Sequence, residues 1–311
     1  MILAKFRFHR FSMILLAVIL MIILDAAFGK RGHRKRIIGG HPVPPGKLPF
    51  IVSIADSHGN HFCGATIIDK RHLVTAAHCF VVEDDSLEDP SKLKVTAGET
   101  DLQNRDSPYI EALLIWALMV HPAYDTLKKN NDIAVARLVN AIAVTPGVKP
   151  ISRSTSRPPS GTKCTVSGWG LTKSTGTDAS RFLLEVEIEI LSFSVCETPE
   201  LGETFEESEI CAGVMKGGHD SCRGDSGGPL VCSGTFTGVV SFGYDCGLPQ
   251  FGAIYTDVAK FKTWVDKMIA WDGHSSLPRM RKSNSKSEAS GPSLFSLCIL
   301  MVLNIVHKNQ L

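Results

Sequence analysis

The sequence predicts an all-β protein closed by a single C-terminal α-helix, and three observations carry that prediction. Between residues 37 and 258 short apolar alternations are punctuated by Gly, Pro, Asn and Asp, the pattern of short strands joined by tight turns. A helical period arises only over Val258–Ala270, where Phe261, Trp264, Val265 and Met268 recur at helical spacing. Eight of the nine cysteines fall in this same region, with none of the Cys-x-x-Cys pairs of a structural zinc site. Many strands followed by one helix fit barrels or a sandwich, and periodicity alone leaves that choice open.

Taken in order, the N-terminus opens with Lys5, Arg7 and Arg10, an apolar run from Met13 to Leu24 and the small residues of Ala27-Phe28-Gly29. These are the three parts of a secretory signal peptide, expected over 1–29. Twelve apolar residues are too few for the roughly 20 of a membrane span. The basic stretch 30–36 follows and reads as a propeptide ending at Arg36, before Ile37-Ile38-Gly39-Gly40. Secretion also explains the cysteines, because disulfides persist in an oxidising compartment whereas eight buried thiols would need a reducing one.

Phe50–Ile54, Ala65–Ile68, Ile133–Leu138 and Thr237–Ser241 read as strands. The net charge of +2 divides into +7 on residues 1–36, −9 on 37–272 and +4 on 273–311. An acidic body with basic ends argues against nucleic acid as a partner. Past the helix, 273–293 is Ser-rich and reads as a flexible linker. Leu294–Val306 is a second short apolar run inside the tail 294–311. Small residues at 283–285, a polar spacer and this tail resemble a glycolipid attachment signal, and the unpaired Cys298 would leave with the tail. There is no Asn-x-Ser/Thr sequon, so N-glycosylation is not expected.

Three motifs carry chemistry: Thr75-Ala76-Ala77-His78-Cys79, Asn131-Asp132-Ile133-Ala134 and Gly224-Asp225-Ser226-Gly227-Gly228-Pro229. Singly they are a packed histidine, a turn-capping acid and a loop serine. Together, a serine too weakly acidic to attack alone, an imidazole base and an orienting carboxylate are what nucleophilic acyl transfer requires.

From Ile37 to about Trp271 the chain resembles the chymotrypsin/trypsin-like serine proteases. The resemblance rests on IIGG at 37–40, TAAHC at 75–79, DIAVARL at 132–138, SGWG at 167–170, DSCRGDSGGPLVC at 220–232 and IYT at 254–256. It implies two packed six-stranded antiparallel β-barrels with a C-terminal α-helix over 37–272, and no cofactor. It also implies Ser226 as nucleophile, His78 as general base and then acid, Asp132 as orienting carboxylate, and the N–H groups of Gly224 and Ser226 as an oxyanion hole. Cleavage after Arg36 would free the Ile37 ammonium to pair with Asp225. Asp220 would sit at the floor of a pocket for Arg or Lys, with Ser221 beside it, and Ser241-Phe242-Gly243 would line the substrate strip.

The implied disulfides are Cys63–Cys79, Cys164–Cys232, Cys196–Cys211 and Cys222–Cys246. The implied partners are protein or peptide substrates with Arg or Lys before the cut, an activating protease and protein inhibitors, with membrane attachment only through the tail. Phe242 stands where Trp is commoner, Asp245 where Gly is usual, and Gly252-Ala253 replaces Pro-Gly, so the Ala253 methyl would narrow the pocket. Arg223 near the entrance would disfavour basic residues on the leaving side. Glu99, Asp101, Asp106 and Glu111 occupy a loop that binds calcium in some relatives, but spaced loop acids are more often simply solvated, and no metal site is expected. A non-catalytic binding module would need a broken triad. An esterase would need a Gly-x-Ser-x-Gly elbow, which Gly224–Gly228 is not.

Overall fold

A computed structural model describes residues 38–82, 85–104, 107–176, 179–197 and 206–283. The signal peptide, the propeptide with Arg36, Ile37, Asp106, the spacer and apolar tail beyond 283, and Cys298 lie outside the described residues. The architecture is the expected one, two β-barrels and a C-terminal helix.

The N-terminal barrel is built from β2 (Ile51–Ala55), β3 (His61–Ile67), β4 (His72–Thr75), β5 (Lys94–Ala97), β6 (Glu111–Leu113), β7 (Ile115–Val120) and β8 (Ala134–Leu138). They pair antiparallel in the order β7-β8-β4-β3-β2-β5-β6. The two ends of that strip, β6 and β7, are joined by the single residue Leu114, so the strip closes as six strands with one break.

The C-terminal barrel holds β9 (Lys163–Gly168), β10 (Leu184–Ile190), β11 (Glu209–Gly213), β12 (Pro229–Cys232), β13 (Thr235–Phe242) and β14 (Ala253–Asp257). Their order is β10-β11-β14-β13-β12-β9, and β9 pairs back onto β10 to complete the ring. A two-residue β1 (His41–Pro42) adds to the outside of β10. A one-turn helix α1 (Phe193–Cys196) was not anticipated from the sequence.

Each barrel is filled by its own inward-facing aliphatic residues, such as Ile54, Leu73 and Leu118 in the first and Val166, Ile188 and Leu230 in the second. A third cluster lies between them. Val74, Met119, Ile133, Phe236 and Val239 meet Phe261, at the N-cap of the C-terminal helix α2 (Lys262–Ile269), and Val265 and Met268 within it. The helical stripe read in the sequence is therefore the face that seals the seam. Burying each such large side chain is worth about 1.5–3 kcal/mol.

One expectation needs correction. The stretch 273–293 read as a flexible linker, yet its described part, to Ser283, turns back and adds β15 (Met280–Lys282) antiparallel to β7. Two anchors hold it. Met280 packs on the seam cluster, and Lys282 lies over both Trp116 and Trp271, which stack at 5.2 Å. A Ser-rich composition predicts solvation, but here two tryptophans distant in sequence supply the surface that orders it.

Candidate active site

His78 follows β4 in a short 3-10 turn, and Asp132 sits just before β8, the strand that pairs with β4. That pairing brings the two together although 54 residues separate them. His78 Nδ1 lies 2.7 Å from Asp132 Oδ2, and the His78 backbone N–H donates to Oδ1 at 2.9 Å. The Ser241 hydroxyl donates to Oδ2 at 2.5 Å, and Thr256 Oγ1 donates to the Asp132 carbonyl at 2.8 Å. Burial alone would push the Asp132 carboxyl up. The charge and hydrogen bond of His78, with the Ser241 hydroxyl and the His78 N–H, outweigh it and hold the group below its ordinary range. A carboxylate kept ionised in this way fixes the proton on Nδ1 and leaves Nε2 free to accept.

Ser226 lies in the turn before β12. Its carbonyl accepts from Gly64 N at 2.7 Å, in β3. Neighbouring Cys63 is bonded to Cys79, the residue after His78. Thus one strand grips both the Ser226 turn and the His78 turn. The approach is close: a Cβ on Gly64 would lie 3.0 Å from Gly228 Cα. Among the described residues no hydrogen bond joins His78 to Ser226, a contact that often tightens only when substrate is bound.

Gly224 has φ +95°, a conformation that favours glycine. Among the described residues the N–H groups of Gly224 and Ser226 are uncommitted. The Gly224 peptide is steered from behind by His61, whose Nε2 lies 2.9 Å from the Gly224 carbonyl and whose Nδ1 lies 2.9 Å from Ser53 Oγ. Because a carbonyl only accepts, Nε2 carries the proton and Nδ1 accepts from Ser53. Burial drives the His61 pKa down to about 4, so the ring stays neutral.

Ser226, Asp220, Ser221, Ser241, Phe242, Gly243 and Ala253 all line one cavity of about 340 Å³. Asp220 is buried at its base. Ser221 N donates to Oδ1 at 2.8 Å and Gly247 N to Oδ2 at 3.0 Å. Loss of water pushes its pKa up to about 7 despite those bonds. Ser221 Oγ contacts Tyr255 Oη at 3.0 Å. Asp245 and Arg223 also line the cavity, and Arg223 Nη2 donates to the Ser174 carbonyl at 3.3 Å. Lys129, from the loop before Asp132, forms part of the same wall, 5.8 Å from the Phe242 ring centroid.

Asp225 is wholly buried. It accepts from Gly170 N and Cys222 N, each at 2.8 Å, and burial raises its pKa to about 7. Among the described residues no cation faces it; Ile37 lies outside them, while Ile38 bridges to Asp220.

The four disulfides pair as implied, including Cys222–Cys246 beside the pocket, Cys164–Cys232 and Cys196–Cys211. In the acidic loop, Asp101 is held by Arg181 and Glu111 accepts from Ala143 N, so those acids turn to separate partners. Sequence reasoning missed His61, Ser53, Thr256, Lys129 and the Ser241–Asp132 bond. None carries a local signal, since each acts across more than 100 residues or from the middle of a strand.

With this geometry in hand, comparison with known proteins agrees. The family model described as Trypsin matches residues 37–265. Serine protease 1 of Rattus norvegicus is 37% identical over 237 residues, spanning 76% of this chain and 90% of that protein. Trypsin II-P29 of Gallus gallus is 34% identical over 245 residues, spanning 78% and 93%. Among solved structures, neuropsin, a serine protease expressed in the limbic system of mouse brain, matches with a TM-score of 0.66 at 30% identity. That match covers 74% of this chain and 98% of neuropsin. A paired histidine and aspartate, a serine turn against the same strand and this family match lead to one conclusion: the chain belongs to the trypsin family and is a serine endopeptidase.

Proposed function

We propose that this endopeptidase is secreted, cuts after Arg or Lys, and is made as a zymogen activated by cleavage between Arg36 and Ile37. The observation that carries the specificity is Asp220. It is a carboxylate at the base of the cavity, shut off from water and, among the described residues, bonded by two backbone N–H groups. Such a group is stabilised by a cation, and a guanidinium can bind it with two parallel bonds. Ala253 walls the same cavity, and a Cβ at Gly243 would lie 3.6 Å from the Ala253 Cβ, so the slot is narrow. Asp245 adds negative charge, which reinforces a basic preference.

In this reading His78 Nε2 takes the Ser226 proton as Oγ attacks the substrate carbonyl, and the imidazolium keeps its Nδ1–H on Asp132. The Gly224 and Ser226 N–H groups receive the developing oxyanion, each donor worth about 3–4 kcal/mol in the transition state. His78 then protonates the leaving amine, and water resolves the acyl-enzyme by the reverse roles. Phe242 and Gly243 offer a β-strand edge to the substrate backbone.

Asp225 supports activation by cleavage. Its unmatched carboxyl lies against Gly168 and Gly170, and a new Ile37 ammonium would supply the missing charge. Removal of one partner of a buried pair is strongly destabilising, so the loop from Cys222 to Ser226 should reach its working form only after the cut. A proprotein convertase or another enzyme cutting after basic residues suits Arg34-Lys35-Arg36, and protein inhibitors that present Arg or Lys suit the pocket. The tail supports attachment to a glycolipid within 283–285.

Sequencing the fragments that the cut protein makes from a mixed peptide pool tests this reading. Arg or Lys before most cuts is expected; a majority of aromatic or aliphatic residues there would overturn it.

A further inference from the structure

Past residue 265, where the family match ends, the chain runs beyond α2 into a strap, 272–283. Asp272 Oδ1 starts it by accepting from His274 N and Ser275 N at 2.8 and 3.0 Å. Trp271 Nε1 donates to the Ser275 carbonyl at 2.9 Å, and the strap ends with Ser283 N donating to the Trp116 carbonyl at 2.7 Å. The serine protease core does not require such an element, since the seam is already sealed by α2.

We infer that the strap positions the substrate groove, acting through Arg279. Its guanidinium reaches two loops at once. Nη1 donates to the Tyr124 carbonyl at 2.8 Å, with the cation 5.6 Å from the Tyr124 ring centroid, and Nη2 pairs with the Asp85 carboxylate. Asp85 in turn accepts from Thr126 Oγ1 at 3.1 Å. Tyr124 and Thr126 belong to the loop 121–131, which runs directly into Asp132. Asp85 belongs to the loop that leaves the His78 turn. Arg281 repeats the grip on the second loop, donating to the Leu87 carbonyl and standing 3.8 Å from Asp89.

The backbone at this clasp is held in an unfavoured form. Arg279 has φ +49° and Asp85 φ +62°, in the left-handed region that side chains other than glycine seldom occupy. Such conformations persist only where surrounding contacts fix them, and they concentrate at working sites. Val120 N donating to the Arg279 carbonyl at 3.0 Å is one of those contacts.

The path from the clasp to the substrate is short. The loop 121–131 is closed by His121 N donating to the Ile133 carbonyl at 3.1 Å, and it carries Lys129 into the cavity wall. Lys129 comes from the N-terminal barrel and Phe242 from the C-terminal one, so the ammonium over the ring at 5.8 Å is a contact between the two barrels in the cavity wall. Asp220 is buried at the base of the cavity whereas Lys129 stands in its wall beside Phe242, so a small ester held at Asp220 gains less from that wall. A peptide extending several residues before the cut gains more. Arg279 is thus a positioning residue for extended substrates, an assignment that rests on His78, Asp132 and Ser226 being the catalytic groups.

The test uses the full chain, cleaved after Arg36, with active-site concentration fixed by titration. Arg279→Gly suits the local φ and deletes the guanidinium, Asp85→Asn removes the charge from the other side, and Arg279→Lys restores a cation. Each is assayed on a small N-acyl arginine ester and on a peptide with four residues before the scissile bond. In Arg279→Gly and Asp85→Asn, the ratio of kcat/KM for peptide to that for ester should fall about tenfold, the change lying in KM. Arg279→Lys should recover part of it. An unchanged ratio in both variants would overturn the inference, as would an equal loss of kcat on both substrates. Failure of the catalytic assignment shows separately, as an unaltered chain that hydrolyses neither substrate, and it too would overturn the inference.

Discussion

Asp132 and Asp225 are both buried, one against His78 and the other next to Ser226 in the chain, yet they end on opposite sides of the ordinary carboxylate range. Asp132 is held below it, whereas Asp225 is driven to about 7. Desolvation raises both. The difference lies in what each receives. Asp132 has an imidazole, a hydroxyl and one N–H, while Asp225 has two backbone N–H groups and no charged partner among the described residues. Two backbone N–H groups do not offset the burial of Asp225, whereas the facing imidazole, the hydroxyl and the N–H together outweigh that of Asp132. Asp220 falls on the Asp225 side, also near 7. One acid is therefore matched within the described residues and two are not; on the reading proposed above, a basic substrate would match Asp220 and the new N-terminus Asp225.

The largest test of that contrast removes the charge where it is complete. Asp132→Asn should cut kcat by about 10⁴-fold, because the amide no longer holds His78 in the working tautomer. Steady-state kinetics with a fold check by circular dichroism measures this. Next, Asp220→Ser empties the pocket of its buried charge. The preference for Arg over an uncharged side chain of similar size should fall by roughly 10²-fold or more, since breaking a buried charge pair costs about 2–5 kcal/mol. Competition between paired peptides reads that ratio directly.

A smaller change is expected from Ser241→Ala. It takes one charge-assisted hydrogen bond from Asp132, worth about 1.5–3 kcal/mol, and leaves His78 in place. A fall in kcat of about tenfold, without loss of Arg preference, would separate the catalytic acid from the pocket acid. If Arg preference fell instead, the division drawn here between the two would be wrong.

The smallest effect is on stability, and its sign follows from the direction of each shift. A carboxyl raised from 3.8 to about 7 keeps its proton in the folded chain after the unfolded chain has lost it. Stability therefore declines as pH rises from about 4 through 7. Asp132 acts oppositely: its contribution is present above its unfolded value and lost as pH falls through its depressed folded one. Uncut Arg36→Gln protein should consequently lose Tm between pH 5 and 7.5. Cleaved protein, with Asp225 matched by the Ile37 ammonium, should lose less, so the gap between them widens by a few degrees. A gap constant with pH would mean Asp225 is not the group completed by cleavage.

Much of this site was legible before the structure because it is written in short local strings. The serine turn, the histidine turn and the acid before β8 each carry a motif, and Asp220 lies six residues ahead of Ser226. Four strands, β2, β3, β8 and β13, were found by alternation, and the start of β3 lies four residues before the reading. β4 and β14, buried along their whole length, went unread because a strand covered on both faces shows no alternation. The other unread parts have a common cause. His61 opens β3 and touches Gly224 from 163 residues away, and Ser241 reaches Asp132 across 109. The strap reads as solvated until Trp116 and Trp271, brought together by the fold, give Lys282 and Met280 a surface. Tertiary contacts of this kind leave no periodicity to detect.

On the proposed reading, Ser226 becomes a nucleophile through the His78–Asp132 pair once Asp225 receives its cation. Labelling the full chain with a fluorophosphonate, followed by peptide mass spectrometry, measures this most directly. The account predicts an adduct on Ser226 after cleavage at Arg36, little in uncut Arg36→Gln protein, and none in Ser226→Ala. No adduct at Ser226 in the cleaved protein, or equal labelling of cut and uncut chains, would contradict it.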